Sequence, residues 1–345
     1  MNFEFTEEQG MLRDSVARFV QDSYDFDTRR KIAASDTMVM MEEFGKGLVL
    51  EPYLATVLLF GGLLQRGGTV EQQAELIPRI IEGGCLGAFA YLERQSRYEL
   101  ADIKTTASAR GDSIVLNGEK VVVFNGACAD QLIVSARSRG EQSDREGISL
   151  FLVPADAAGI ERVSYRLMDG QLVANIVFRD VQVPAANLVG ELHAGYHLMS
   201  EVVNAASIAL ASEALGIMGQ LNAKTLEYTK TRKQFGVAIG SFQALQHRMV
   251  DTFMAYEQTK SMLYRAVCEL DGGGEDVAAC VHALQVMVDR NGKKVFGEAI
   301  QLHGGMGITD ELDIGHYAKR LMMINTCFGN GDYHQAQFNQ LRYSA

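Results

Sequence analysis

Tryptophan is absent from this chain, and only 4 of its 345 residues are proline. So few obligatory breaks favour long helices. The cysteines, Cys85, Cys128, Cys268, Cys280 and Cys327, are odd in number and scattered, with no Cys-x-x-Cys pair. That pattern argues against a zinc ribbon and against a disulfide framework, and it suits a reducing, cytoplasmic setting. No Lys/Arg-rich run occurs, and the formal charge is −11. A nucleic-acid surface is therefore not expected. Asn2, Glu4, Glu7 and Glu8 at the start are the opposite of a signal peptide's basic opening. No uninterrupted apolar run approaches the roughly 20 residues a bilayer-spanning helix needs, so no membrane partner is expected. The 7 histidines show no metal-ligand spacing on one face, so no metal site is assigned.

What is present changes its period twice. Residues 1–87 read as helices. Thr6 and Gln9 form a capping-box pattern ahead of Leu12, Val16, Phe19 and Val20. Thr37–Leu48, Leu54–Leu64 and Val70–Ile81 continue at helical spacing. From 88 to 191, short β-rich runs are separated by turn pairs such as Asn117-Gly118 and Asp169-Gly170. Strands without intervening helices predict an antiparallel domain. From 192 to 345 the chain is helical again, with long segments at His197–Thr229, Phe242–Leu270 and Asp276–Gln301 and a fourth beginning at Ile314. The expected fold is α+β and mostly helical: an N-terminal helical domain, a middle antiparallel β-domain and a C-terminal four-helix bundle.

Two glycine-bearing stretches carry the chemistry. One is Arg232-Lys-Gln-Phe-Gly-Val-Ala-Ile-Gly-Ser-Phe-Gln243; the other is Gln301-Leu-His-Gly-Gly-Met-Gly-Ile-Thr-Asp-Glu311. Arginine meets a phosphate with parallel donors, and glycine lets backbone approach what it binds. An arginine with side-chain amides beside such backbone suits a dinucleotide. Neither stretch is a P-loop or Rossmann fingerprint, because neither follows a strand in a βαβ unit.

Together with Asp112-Ser-Ile-Val-Leu-Asn-Gly-Glu-Lys120 and Asn125-Gly-Ala-Cys-Ala-Asp130, these stretches make nearly the whole chain resemble the acyl-CoA dehydrogenase family. The resemblance implies FAD as cofactor and an acyl-CoA substrate, with removal of an α-proton by a carboxylate and of a β-hydride by the flavin. It places Arg232, Phe235 and Gln243, with Gln301, Gly304 and Gly305, on the AMP and pyrophosphate half of FAD, reaching across a subunit interface. It implies an electron-transferring flavoprotein as acceptor.

The resemblance fails at the reacting end. The two positions where the family carries its glutamate base fall on Gly329 and Ala206, neither of which accepts a proton. The loop Leu92-Glu-Arg-Gln-Ser-Arg-Tyr-Glu99 has lost the family's threonine and its Gly-Ser-Asp, and Phe124 stands where a threonine touches the flavin. The residues for the nucleotide tail survive, and those for ring, thioester and proton are missing together. This imbalance resembles the small subunit of heteromeric acyl-CoA dehydrogenases of the pimeloyl-CoA or steroid side-chain type. Such a chain would work beside a full-length subunit, as a heterodimer or α2β2 tetramer, in fatty acid or steroid side-chain β-oxidation. Two alternatives stand beside it. One is a self-sufficient homo-oligomer with a displaced base, for which Asp332 is the candidate. The other is a scaffold or regulatory subunit without flavin.

Overall fold

The computed structural model describes residues 34–343. The capping box at Thr6 and the helix expected after it lie outside them. Helix α1 (Ala34–Gly47) begins with the amides of Ala34 and Ser35 donating to the Asp271 carboxylate at 2.6 and 3.1 Å. A distant side chain thus satisfies donors that a helix start leaves open. The single helix expected over Leu54–Leu64 is two elements, α2 (Tyr53–Gly61), wound as a π-helix, and α3 (Gly62–Gly67). Thr56 fixes α2 to the sheet: its hydroxyl donates to Gly87 O at 3.0 Å and accepts from Gly87 N at 3.2 Å. Gly87 has no side chain to spare there, because a Cβ would enter the Phe60 ring. Helix α4 (Val70–Ile81) has the expected bounds and is capped by a reciprocal Thr69–Gln72 box.

Eight strands follow: β1 (Gly87–Ala90), β2 (Thr106–Arg110), β3 (Ser113–Phe124), β4 (Gln131–Arg137), β5 (Ile148–Pro154), β6 (Ile160–Arg166), β7 (Leu172–Pro184) and β8 (Leu188–Val189). Their order is β6-β7-β3-β2-β4-β5-β8, with β1 also on β4. Most neighbours are antiparallel, as expected. However, β1 and β2 both pair with β4 in parallel, so the sheet is mixed. A period of two identifies a strand and leaves its direction open, and β1 enters from the helical region rather than through a hairpin. Leu132, Val134, Phe151, Ile176 and Phe178 form the sheet's own core.

Helices α5 (Gly195–Thr231), α6 (Gln243–Asp271), α7 (Val277–His303) and α8 (Ile314–Ile324) make the expected bundle. A fifth, α9 (Gly331–Tyr343), packs on α7. Its polar sequence buries only His334 fully, which leaves little periodic signal to read. The 37-residue α5 is the axis of the molecule and touches α1, α6, α7 and α8. It is long and apolar enough to cross a membrane, but 83% of its most apolar window is buried inside the fold. Gly45 and Gly216 let α1 and α5 cross closely, since a Cβ on either would strike the other helix's backbone.

Candidate cofactor and catalytic site

The first glycine-bearing stretch forms the end of α5 and a small ribbon beyond it. Arg232 caps α5, and β9 (Lys233–Gln234) pairs antiparallel with β10 (Val237–Ala238). The two-residue turn between them is Phe235-Gly236, with φ of 55° and 83°. Positive φ at both central positions is the signature of a type I′ turn, and for a phenylalanine it is a strained conformation. Phe235 is 91% exposed, touching Phe242 edge to face with centroids 6.2 Å apart. Arg232, Gln243 and Gln301 are exposed too.

The second stretch closes on the first. The Tyr228 and His303 rings lie 4.3 Å apart, and the Tyr228 hydroxyl donates to His303 O at 3.4 Å. This joins the last turn of α5 to the last turn of α7 and brings Arg232 to the same end of the bundle as Gly304 and Gly305. A Cβ built on Gly304, Gly305 or Gly236 would meet nothing within 4 Å. Among the described residues Arg232 has no ion-pair partner, and α6 opens at Gln243, where a helix start favours negative charge. All six residues expected to grip a nucleotide are therefore at one end, facing outward. Val250, Phe253 and Met254 continue an exposed apolar face along α6.

The reacting end is built differently. Ala206 is 1% exposed, in the middle of α5. Gly329 is buried with φ of 146°, in the link between α8 and α9. Among the described residues, the carboxylates on α5 and in the first turn of α9 are paired or exposed. Glu213 is held by Arg320, Nε to Oε1 at 2.5 Å and Nη2 to Oε2 at 2.8 Å, and Asp169 takes Arg320 Nη1 at 2.8 Å. Although burial opposes its charge, those carboxylates hold the guanidinium above its ordinary pKa. Glu201 is exposed and faces His197 at 3.4 Å. Asp332 is exposed in the first turn of α9. Cys327 is no substitute, because burial pushes its thiol up to about 12.

The loop Leu92–Glu99 is organised by Glu93, which sequence reasoning passed over. Its carboxylate accepts from Lys120 Nζ at 2.8 Å, Lys104 N at 2.8 Å and Thr105 N at 3.0 Å. Burial alone would raise Glu93, but the Lys120 charge and the bonds to Lys120, Gln95 and Thr105 take it down to about 2. Burial lowers Lys120 to about 8 against the pull of Glu93. The lysine had been visible in the sequence motif but its partner, 27 residues earlier, had not. Phe124 is 8% exposed and lines a cleft of about 300 Å³ with Leu54, Ala55, Leu86, Asn125 and Leu172. Arg232 beside open glycine backbone thus fits the nucleotide half of FAD, whereas Phe124 brings a phenyl rather than a hydroxyl to its cleft, and among the described residues the atoms nearest a Cβ on Gly329 belong to Tyr333 and His334.

Two family models match the chain: the acyl-CoA dehydrogenase middle domain over residues 88–181 and the acyl-CoA dehydrogenase C-terminal domain over residues 193–340. A Bacillus subtilis (strain 168) protein named Probable acyl-CoA dehydrogenase YngJ is 29% identical over 351 residues, covering 91% of this chain and 92% of its own length. A chain solved in work on the electron transferring flavoprotein of Acidaminococcus fermentans superposes with a TM-score of 0.85 at 25% identity, over 100% of both chains. A variant of the Tcur3481-Tcur3483 steroid ACAD superposes with a TM-score of 0.79 at 26% identity, over 89% of this chain and 80% of its own. The fold, the paired domain matches and these likenesses agree: the chain belongs to the acyl-CoA dehydrogenase family of FAD-dependent oxidoreductases.

Proposed function

We propose that this chain is a subunit of a heteromeric acyl-CoA dehydrogenase. It holds the AMP and pyrophosphate half of an FAD whose ring, together with the catalytic glutamate, belongs to a full-length partner subunit. The observation that carries this reading is Phe235, a strained aromatic 91% exposed at the tip of a ribbon, beside an arginine with no ion-pair partner among the described residues. An exposed aromatic in an unfavourable backbone conformation is consistent with a surface shaped to meet another molecule. The glycines with nothing around them are consistent with the same.

Each residue has a defined task. Arg232 would pair with pyrophosphate oxygens through parallel donors. Gln243 and Gln301 would bond the adenosine half, Gly304 and Gly305 would let backbone approach it, and Phe235 would cover its face. When bound, FAD supplies the acceptor for the hydride that leaves the β-carbon of the thioester. The α-proton goes to the partner's carboxylate, since Gly329 and Ala206 carry none and Glu213 is consumed by Arg320. The product is a 2-enoyl-CoA. An electron-transferring flavoprotein is the acceptor this reading names. The likeness to the Tcur3481-Tcur3483 steroid ACAD supports a steroid substrate and a complex of unlike chains.

Co-expression with a full-length paralogue, followed by counting FAD per complex from the absorbance spectrum, tests the proposal. One flavin per pair of chains is expected. One flavin in every chain's own cleft would overturn it in favour of a self-sufficient homo-oligomer, and a colourless complex would leave the scaffold reading.

A further inference from the structure

We propose that the groove between α6, α7 and α9 binds a small amphiphilic carboxylate, with the anionic head on a guanidinium and the apolar tail in the groove. The proposal stands whether or not the subunit reading holds. Helices α6 and α9 both pack on α7 and make little contact with each other. Between them lies a cleft of about 290 Å³, near the lower bound for small-ligand pockets. Its floor is Ala279, Cys280 and Ala283 on α7, with Ala279 and Cys280 buried. Residues four apart share a helix face, and two alanines at that spacing leave a hollow that longer side chains would fill. Met262 from α6 and Phe338 from α9 make apolar walls. The cleft is well away from the nucleotide end: Ala283 and Gln301 stand 18 residues apart on α7, roughly 27 Å at helical rise.

The rim decides the chemistry. Arg265 on α6 and Arg342 on α9 both border the cleft and both are exposed. Arg342 Nη2 donates to Asp276 Oδ2 at 2.7 Å, so that charge is already neutralised. Arg265 has no ion-pair partner among the described residues. Glu269 stands at the helical spacing that would pair with it, but the Glu269 carboxylate accepts from Asp276 N at 3.0 Å instead. Carboxylates are plentiful in a chain of net charge −11, so a guanidinium left unpaired beside an apolar hollow suits an anion from outside. With Arg342 and Asp276 cancelling, the rim keeps one positive charge, which matches a monoanion. The planar fork of arginine meets a carboxylate with two parallel donors. The volume has room for about ten water-sized groups, which fits an eight-carbon acid. A neutral apolar molecule of that length would fill the hollow and leave Arg265 without a partner.

Calorimetry on the purified full-length protein tests this with octanoate and, as a neutral probe of the same length, octanol. Octanoate should bind saturably with a dissociation constant of about 1 mM or below. Octanol should bind at least about 10-fold more weakly, the loss of one charge-assisted contact. Arg265→Gln should weaken octanoate by about 10-fold and leave octanol unchanged. Ala283→Leu should remove the binding of both by filling the hollow. Because Arg265 is exposed, its variant keeps the test readable should Ala283→Leu fail to fold. The proposal is overturned by the absence of saturable octanoate binding, by equal affinities for octanoate and octanol, or by octanoate affinity that Arg265→Gln does not change.

Discussion

The two ends of this molecule's cofactor region have opposite character. At the nucleotide end, Arg232, Phe235, Gln243 and Gln301 project into solvent, and Gly304 and Gly305 have open space around them. At the reacting end, Gly329 is wrapped by Tyr333 and His334, and the nearby carboxylates Glu213 and Asp169 are tied to Arg320. The side chains that the proposed subunit role uses are open to solvent. The side chains around Gly329 pack against each other instead. One end of the bundle is thus built for contact with something outside the chain, and the other is held by aromatic packing within it.

The largest expected effect lies at the buried Arg320 cluster. Arg320→Leu strands Glu213 and Asp169 as buried, uncompensated charges, and should cost ~3–5 kcal/mol by denaturant midpoint. Next is pH. Burial lowers His282 to about 4, and burial with the neighbouring His282 charge lowers His334 to about 3, from 6.5. The folded chain keeps both imidazoles neutral where the unfolded chain takes up protons. Stability should therefore be complete above pH 7, fall as pH drops through 6.5, and go on falling to about 4. The slope should approach two protons, on the order of 2–3 kcal/mol per pH unit. Unfolding of His282→Gln/His334→Gln measured between pH 7 and 4.5 should show a flatter profile; an equal slope would mean that these two imidazoles are not the groups that take up protons on unfolding.

At the open end the sign should reverse. Arg232→Ala should weaken FAD retention by the complex about 10- to 100-fold, the ~1.5–3 kcal/mol of a charge-assisted bond, while the melting of the chain alone moves by less than ~0.5 kcal/mol. Equal flavin content would remove Arg232 from the cofactor. Phe235→Gly should stabilise the isolated chain by up to ~1 kcal/mol by relieving a left-handed conformation and yet weaken subunit association in ultracentrifugation. Asp332→Ala should leave turnover of the flavin-loaded complex unchanged; a collapse in turnover would restore the displaced-base reading.

Much of the fold was legible in the sequence because helices and half-buried strands print their periods on it. Val70–Ile81 is found within its predicted bounds, and the three long bundle helices within a few residues. The sheet's parallel pairings of β1 and β2 with β4 were not legible, since side-chain alternation is the same for either direction. Nor was α9, whose polar surface carries no stripe. The ring contacts around Gly329 were not legible, because Tyr98, His282 and Tyr333 come from three distant places in the chain.

The sequence by itself determined the family and the order of helical and β regions, because these depend on residue identity at short range. Only the tertiary structure decided that Arg232, Phe235, Gln243, Gln301, Gly304 and Gly305 share one exposed end of the bundle and that Gly329 is enclosed by Tyr333 and His334. Both facts depend on which distant side chains the fold brings within van der Waals reach, and close packing is a property of the assembled interior rather than of any local pattern.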